Sequence, residues 1–502
     1  SPMIIVLIDP KPGLAQAIAR KGHHVLCAYG SSSPVINAKK LQRPSRDGMR
    51  SALSASGVPE KEAERFARES SRSLAILRRL MAGETGSVPN WARTPPPRAL
   101  IAAMLAGGWD EGSETDKNVI ARLGGAPYHE LIADIPRYAD QLDSPLHKLG
   151  TAWKVASPQD SWLLLAKHVS SSDLEYFEAV AVDVLSSADP RYAMQPEERW
   201  LAPVKQIKPT YSDVLRRGLG ETLIMLALFG DRAHAYPIAK DRAARIVQKT
   251  LHRADRQRWW SLSREFQLLA EAAPQQFLKE IEHSLDDDEP PIYALFGNDG
   301  NGIFDAEHLS DLLWALEALA WSPDYIARVA SILARLDAAD PGGRYSNRPG
   351  NSLRDIFLLW QPQTFTPLAQ RLKVLDRLRR NHPEAAWDLM MSILPTGHAS
   401  VSPSGSTRWR DFDVTDEEVV SYPLIEHGAR EITRRLLEDV KSSVLRWKQL
   451  LDRLSDIPDE DLDSLLVQLR ESVQMIINEN DRTALWNHIR KVMNHHREFP
   501  EA

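Results

Sequence analysis

A helix, a proline elbow and a second helix, repeated along the second half of the chain, restrict the fold more than any other feature. In "LLWALEALAWSPDYIARVASILARLDAADP" (Leu312–Pro341) apolar residues recur at helical spacing, stop at Ser322-Pro323 and resume as a second stripe. "LLAEAAPQQFLKEIEHSL" (Leu268–Leu285) follows the same grammar. A shift of 48 positions sets its Leu268 on Leu316, Phe277 on Tyr325 and Leu285 on Leu333. "LRRNHPEAAWDLMMSIL" (Leu378–Leu394) is a third copy, and the breaks at Pro274, Pro323 and Pro383 lie 49 and 60 residues apart. Short rods with one apolar face bury it only by stacking on neighbours, and periods of roughly 40–50 residues are those of helical-hairpin arrays. The expectation is a mainly α chain ending in a HEAT/TPR-like α-solenoid.

Helix signals continue from Ala99 onward, and strand alternation is scarce. "SPQDSWLLLAKHV" has Ser157 as N-cap, Pro158 at the first helical position and Asp160 at the third. "SSDLEYFEAVAVDVLSSADP" repeats this with Ser171 or Ser172 as cap and stops before Pro190.

The first 40 residues differ. "MIIVLID" (Met3–Asp9) is a continuous apolar run of the kind a buried parallel strand shows, "PGLAQAIARKG" reads as a helix capped at Gly22, and "HHVLCAY" as a second strand. These predict a small βαβ unit, with "NAKKLQRP" as a possible third strand. Two helices follow, "SRDGMRSALSASG" and "PEKEAERFARESSRSLAILRRLM". The breaker-rich 83–98, with three consecutive prolines, reads as a linker. The expected division is 1–82 for the α/β segment and these helices, 83–98 for the linker, and 99–502 for the array. Subdivisions of the array are expected near 287–308 and 395–415.

Composition narrows the function classes. Lys plus Arg number 62 against 68 acidic residues, a net charge of −6, which argues against a dedicated nucleic-acid binder. One cysteine, Cys27, excludes an internal disulfide and fits a reducing compartment. No apolar run is long enough to span a bilayer. Ser1 and Pro2 ahead of Met3 read as a remnant of cloning, and no charged-then-apolar leader follows, so a cytoplasmic protein is expected.

Candidate chemistry is sparse. Asp9 closes the first strand, where open parallel sheets place ligands, and reads as a cofactor contact or a plain strand-end residue. "DPKPG" is not G-x-G-x-x-G, and no G-x-x-x-x-G-K-[ST] occurs. Arg72 is expected early on a helix that ends with Arg78 and Arg79, as part of a solvated basic face or as a phosphate-sensing arginine. "GNDGNGIFDAEH" fails as a calcium loop, because His308 falls where a bidentate carboxylate is required. His488, His495 and His496 lack companion ligands, so no metal site is expected. No G-x-S-x-G elbow occurs, and no catalytic residue is assigned. Two loops hold Arg beside Trp, the residue types that dominate interface hot spots. Arg344, Arg348 and Trp360 in 340–364, with Arg408, Trp409 and Arg410 in 395–412, are the expected partner contacts. Capping of the helical stack is the other reading of both loops.

"WKVASPQDSWLLL", "DPRYAMQPEERWLAPV", "YSDVLRRGLGETLIMLALFGD", "NRPGNSLRDIFLLWQPQT" and "TRWRDF", together with Leu312–Arg344, resemble the C-terminal helical region of large bacterial STAND-type NTPases. Those proteins are NLR-like, and many serve antiphage defence. "IARKGHHVLCAY", "LQRPSRDGMRSAL" and "SSRSLAILRRLM" likewise resemble the end of a STAND ATPase module and its helical lid, with Arg72 as the lid arginine. The resemblance implies a helical sensor that binds a phage or cellular protein and licenses ATP-dependent oligomerisation, preceded by an effector and a P-loop ATPase. Walker A and B segments are missing from this chain, so ATP and Mg enter only through a module outside it, and no cofactor is expected here. Two alternatives stay open: a nucleotide-binding α/β enzyme using residues near Asp9 and Arg72, and a standalone helical scaffold.

Overall fold

The computed structural model describes residues 2–8, 13–28, 45–71, 73–83, 88–93, 95–139, 143–232, 239–296, 308–342, 347–395, 405, 407–412 and 418–498. Asp9, Arg72, Arg344, the third-strand reading at 37–44 and residues 297–307 of the rejected calcium loop lie outside them. The chain is mainly α, with a small sheet at its start. β1 (Ile4–Ile8), α1 (Leu14–Ala19) and β2 (His24–Ala28) form the βαβ unit that the apolar runs predict. Its strands are parallel, with Ile4 opposite His24 and Ile8 opposite Ala28. Ile4 and Leu26, on one face, remain 78% and 61% exposed, and Ile5, Leu7, Val25 and Cys27 on the other are only half-buried, so the strands are not the fully buried ones that the apolar run suggests.

α2 (Arg46–Ala55), α3 (Glu60–Glu69) and α4 (Leu74–Ala82) come next. Read from periodicity, α3 and α4 are one helix; in the structure they are two. The serine run is the reason. Ser70 Oγ donates back to the Ala67 carbonyl, Ser71 takes φ 50°, and Ser73 Oγ accepts the Ile76 N–H as the cap of α4. Serine hydroxyls that satisfy backbone groups locally compete with helix continuation. Met49, Leu53, Ala63, Ala67 and Leu77 form a small core for these helices, separate from the main one.

The expected linker is tied down where it is described. Trp91 is buried in the main core, and its Nε1 donates to the Asp143 carbonyl at 3.0 Å. Pro97 then caps the helix Arg98–Ala106, whose residues from Ala99 to Ala106 are all buried. Beyond it the structure adds a sheet that the sequence reading lacks. β3 (Gly108–Asp110), β4 (Leu146–Leu149) and β5 (Ala152–Val155) are antiparallel in the order β3-β5-β4. Strands of three and four residues are too short for alternation to register. They are held by Trp109 stacked on Trp153 at 5.7 Å and by a two-residue turn with Gly150 at φ 61°.

Two of the three proline elbows are helix starts. Pro274 opens the helix Pro274–Leu285 directly after Phe266–Ala272, and Pro383 opens Pro383–Ser392 after Leu368–Asn381. Pro323 lies in the turn between His308–Ala320 and Ile326–Ala338. At a first helical position proline gives up an N–H that has no intrahelical partner anyway. Successive pairs stack, Phe266–Ala272 on His308–Ala320 and Pro274–Leu285 on Ile326–Ala338. Between them Phe277, Ile281, Leu312, Leu316, Val329 and Leu333 are fully buried. Ser157 caps its helix as read, whereas the next capping box uses Ser170 with Asp173, one residue before Ser171 and two before Ser172. One apolar core runs from Trp91 to Leu485, across both expected subdivisions of the array. Among the described residues no helix is long and apolar enough to cross a membrane.

Candidate functional site

The segment Thr407–Phe412, "TRWRDF", is gripped from two sides. On one side Glu271, 4% exposed, accepts main-chain N–H bonds from Arg408, Trp409 and Arg410. The Arg410 guanidinium donates to the carbonyls of Glu271 and Ala272, the open end of the helix Phe266–Ala272. Burial pushes the Glu271 carboxyl up, and the three N–H groups pull it back. On the other side is α3. Arg68 donates to the Arg408 carbonyl and lies over the Trp409 ring at 5.4 Å, while Lys61 and Arg65 pair with Asp411 at 2.8 and 3.2 Å. Exposed pairs of the last kind contribute roughly 0–1 kcal/mol each, so the buried contacts dominate the grip.

α4 is attached separately. Arg79 donates to both oxygens of Asp160 and, at 3.1 Å, to Asp143; the Arg79 and Asp160 side chains are 6% and 7% exposed. A small three-helix body with its own core thus meets the array through arginine contacts and one pressed tryptophan.

Between that body and the array lies a cleft of about 610 Å³. Its charged walls are Arg46 of α2, Arg68 and Glu69 of α3, Lys154 of β5, Arg217 and Glu221 of the helix Asp213–Phe229, and Arg408. Glu221 is buried and holds Arg217 at 3.2 Å and Lys154 at 3.8 Å. Arg408 has no side-chain hydrogen bond or ion pair among the described residues. Burial lowers its affinity for a proton, and the like charges of Arg217 and Arg68 add to this; Glu221 and Glu271 offset part. Glu69 is buried with one oxygen unpartnered, and burial pushes its carboxyl up. Four guanidinium groups and an ammonium facing two carboxylates make a positive field. Guanidinium forks match carboxylate or phosphate oxygens.

Arg408, Trp409 and Arg410 therefore sit together; Arg408 and Trp409 line the cleft, and Arg410 does not. Trp409 is 6% exposed and Arg410 is spent on the helix end, so both are structural in this conformation. Arg348 and Trp360 are elsewhere. Arg348 pairs with Asp340 beside the N-terminus of the helix Pro349–Phe357, and Trp360 packs half-buried on the core. Arg68, Lys154, Arg217 and Glu221 escape sequence reading. Arg217 and Glu221, four apart on a helix, look like an ordinary solvated pair until the fold buries the glutamate.

A second cleft, of about 420 Å³, is lined by Arg199, Trp200, Lys208, Trp260, Arg264 and His308. Arg199 lies over Trp260 at 4.9 Å, and the Trp260 and His308 ring centres are 4.2 Å apart. His308 Nδ1 meets Ser263 Oγ at 2.6 Å, and burial, with Arg199, Arg264 and Arg191 nearby, lowers its pKa to about 4. Compared with known proteins, the chain matches no family model, no curated protein and no solved structure.

Proposed function

We propose that this chain is the non-catalytic recognition region of an NLR-like STAND NTPase, in which a helical array engages a protein partner and governs oligomerisation. The supporting observation is the Thr407–Phe412 segment. It joins the three-helix body to the array and carries Arg408 into the basic cleft between them. An acidic partner surface seated there supplies the counter-charge that Arg408 lacks. Such a partner favours the docked arrangement of α2–α4 by its differential affinity for it. The partner is a phage or cellular protein, and the ATP-using module lies outside this chain.

Pull-downs with purified phage structural proteins test this. Arg408→Ala, which breaks no side-chain hydrogen bond or ion pair among the described residues, should retain the wild-type Tm and weaken capture by about 10-fold or more, as loss of a central charged contact does. Capture equal to wild type removes the cleft from the interface. The same guanidinium groups favour a second reading, a bound nucleotide or other phosphorylated small molecule. Calorimetry with ATP, NAD and cyclic nucleotides separates the two, since sub-millimolar binding to the isolated chain supports the nucleotide reading.

A further inference from the structure

His252 stands just past the helix Ala239–Leu251, followed by Arg253 at φ 50°. Glu280 and His283 stand three apart on Pro274–Leu285, hence on one side of that helix. His252 Nδ1 is 3.2 Å and His283 Nδ1 3.6 Å from the same oxygen, Glu280 Oε2. One donor atom from each residue lies within 4.8 Å of the other two. Gln276 Nε2 donates to the other oxygen, Oε1, and so orients the carboxylate.

Two physical facts go beyond hydrogen bonding. The Glu280 side chain is 1% exposed, yet among the described residues it has no Arg or Lys partner. Other buried glutamates of the array have either a cation or several donors: Glu178 meets Arg242, Arg245 and Lys249, Glu265 meets Arg216, and Glu271 accepts three main-chain N–H groups, whereas Glu317 has only the Ser352 hydroxyl. A buried carboxylate without a fixed cation is costly. The spacing also fits an ion. Bonds of about 2.1 Å in a tetrahedron give edges of about 3.4 Å, and the two measured separations fall on either side of that value.

The geometry points to a divalent transition-metal site of the zinc class, with His252 Nδ1, Glu280 Oε2 and His283 Nδ1 as donors. Two imidazoles select zinc, nickel or copper over calcium and magnesium, which take oxygen donors. The imidazoles are 51% and 50% exposed, so the fourth position faces solvent. The ion joins the end of Ala239–Leu251 to Pro274–Leu285 and fixes two layers of the stack. This site is independent of the basic cleft and of the function proposed above.

Zinc titration of the full chain by calorimetry, with Co²⁺ absorption as a probe of tetrahedral geometry, tests it. One equivalent should bind wild type in the micromolar range or below and raise Tm by a few degrees. His252→Ala and His283→Ala, at half-exposed positions, should keep the metal-free Tm and each weaken binding by about 10-fold or more. Glu280→Gln should abolish the tetrahedral Co²⁺ spectrum. Absence of saturable one-to-one binding, or undiminished binding by His252→Ala/His283→Ala, overturns the assignment.

Discussion

Gly218 and Gly107 show how missing side chains permit a close approach of two backbone segments. A Cβ on Gly218 would sit 2.3 Å from the Ala106 carbonyl oxygen, and one on Gly107 2.5 Å from the Gly218 oxygen. Both obstacles are backbone and cannot swing aside. Gly218→Ala should therefore cost about 3 kcal/mol, at the upper end of overpacking penalties, and lower Tm by several degrees in thermal unfolding. Gly405→Ala meets no atom within 4 Å and should leave Tm unchanged. Equal behaviour of the two variants would refute the contact. Glu271 is the second decisive residue. Glu271→Gln puts an amide among three N–H donors and should cost about 2–3 kcal/mol. Hydrogen exchange should rise first at 407–412.

At the scale of elements, the helix His308–Ala320 begins with a histidine that its surroundings keep neutral. Its pKa falls from 6.5 in the unfolded chain to about 4 in the fold, so the folded state binds fewer protons between those values. Stability from this group is complete above about pH 6.5 and is lost as pH falls toward 4. The loss is about 2–3 kcal/mol by pH 4.5. His308→Gln should show a correspondingly smaller drop between pH 7 and pH 4.5 in denaturant titrations. An identical drop in both proteins would contradict the burial argument. Element boundaries were legible where a local signal marks them, as at Pro274, Pro383 and Ser157. They were misread at 70–73, where serine side chains end a helix whose apolar period continues. β3–β5 went unseen because their stability comes from cross-strand partners such as Trp109 and Trp153, 44 positions apart.

For the whole molecule, the separate core of α2–α4 and its polar attachment make a body that can open without unfolding the array. Arg79→Met leaves Asp160 buried beside an uncharged group, a loss of about 3–5 kcal/mol. Exchange of amides in α2–α4 should then accelerate on the order of 100- to 1,000-fold, while the helix Pro274–Leu285 keeps wild-type protection. Uniform acceleration along the chain would mean that the helices are not a separate unit.

Helix period, proline elbows, caps and the βαβ start were written in neighbouring residues, because they obey backbone rules that act over one or two turns. The same local rules placed Arg beside Trp at 408–410 without revealing which side chain is spent internally. Only the folded chain decided that Arg68 meets the Arg408 carbonyl across 340 positions, or that His252 meets Glu280 across 28. Those encounters depend on how whole helices stack, and stacking is set by summed apolar burial along the array rather than by the residues that finally touch.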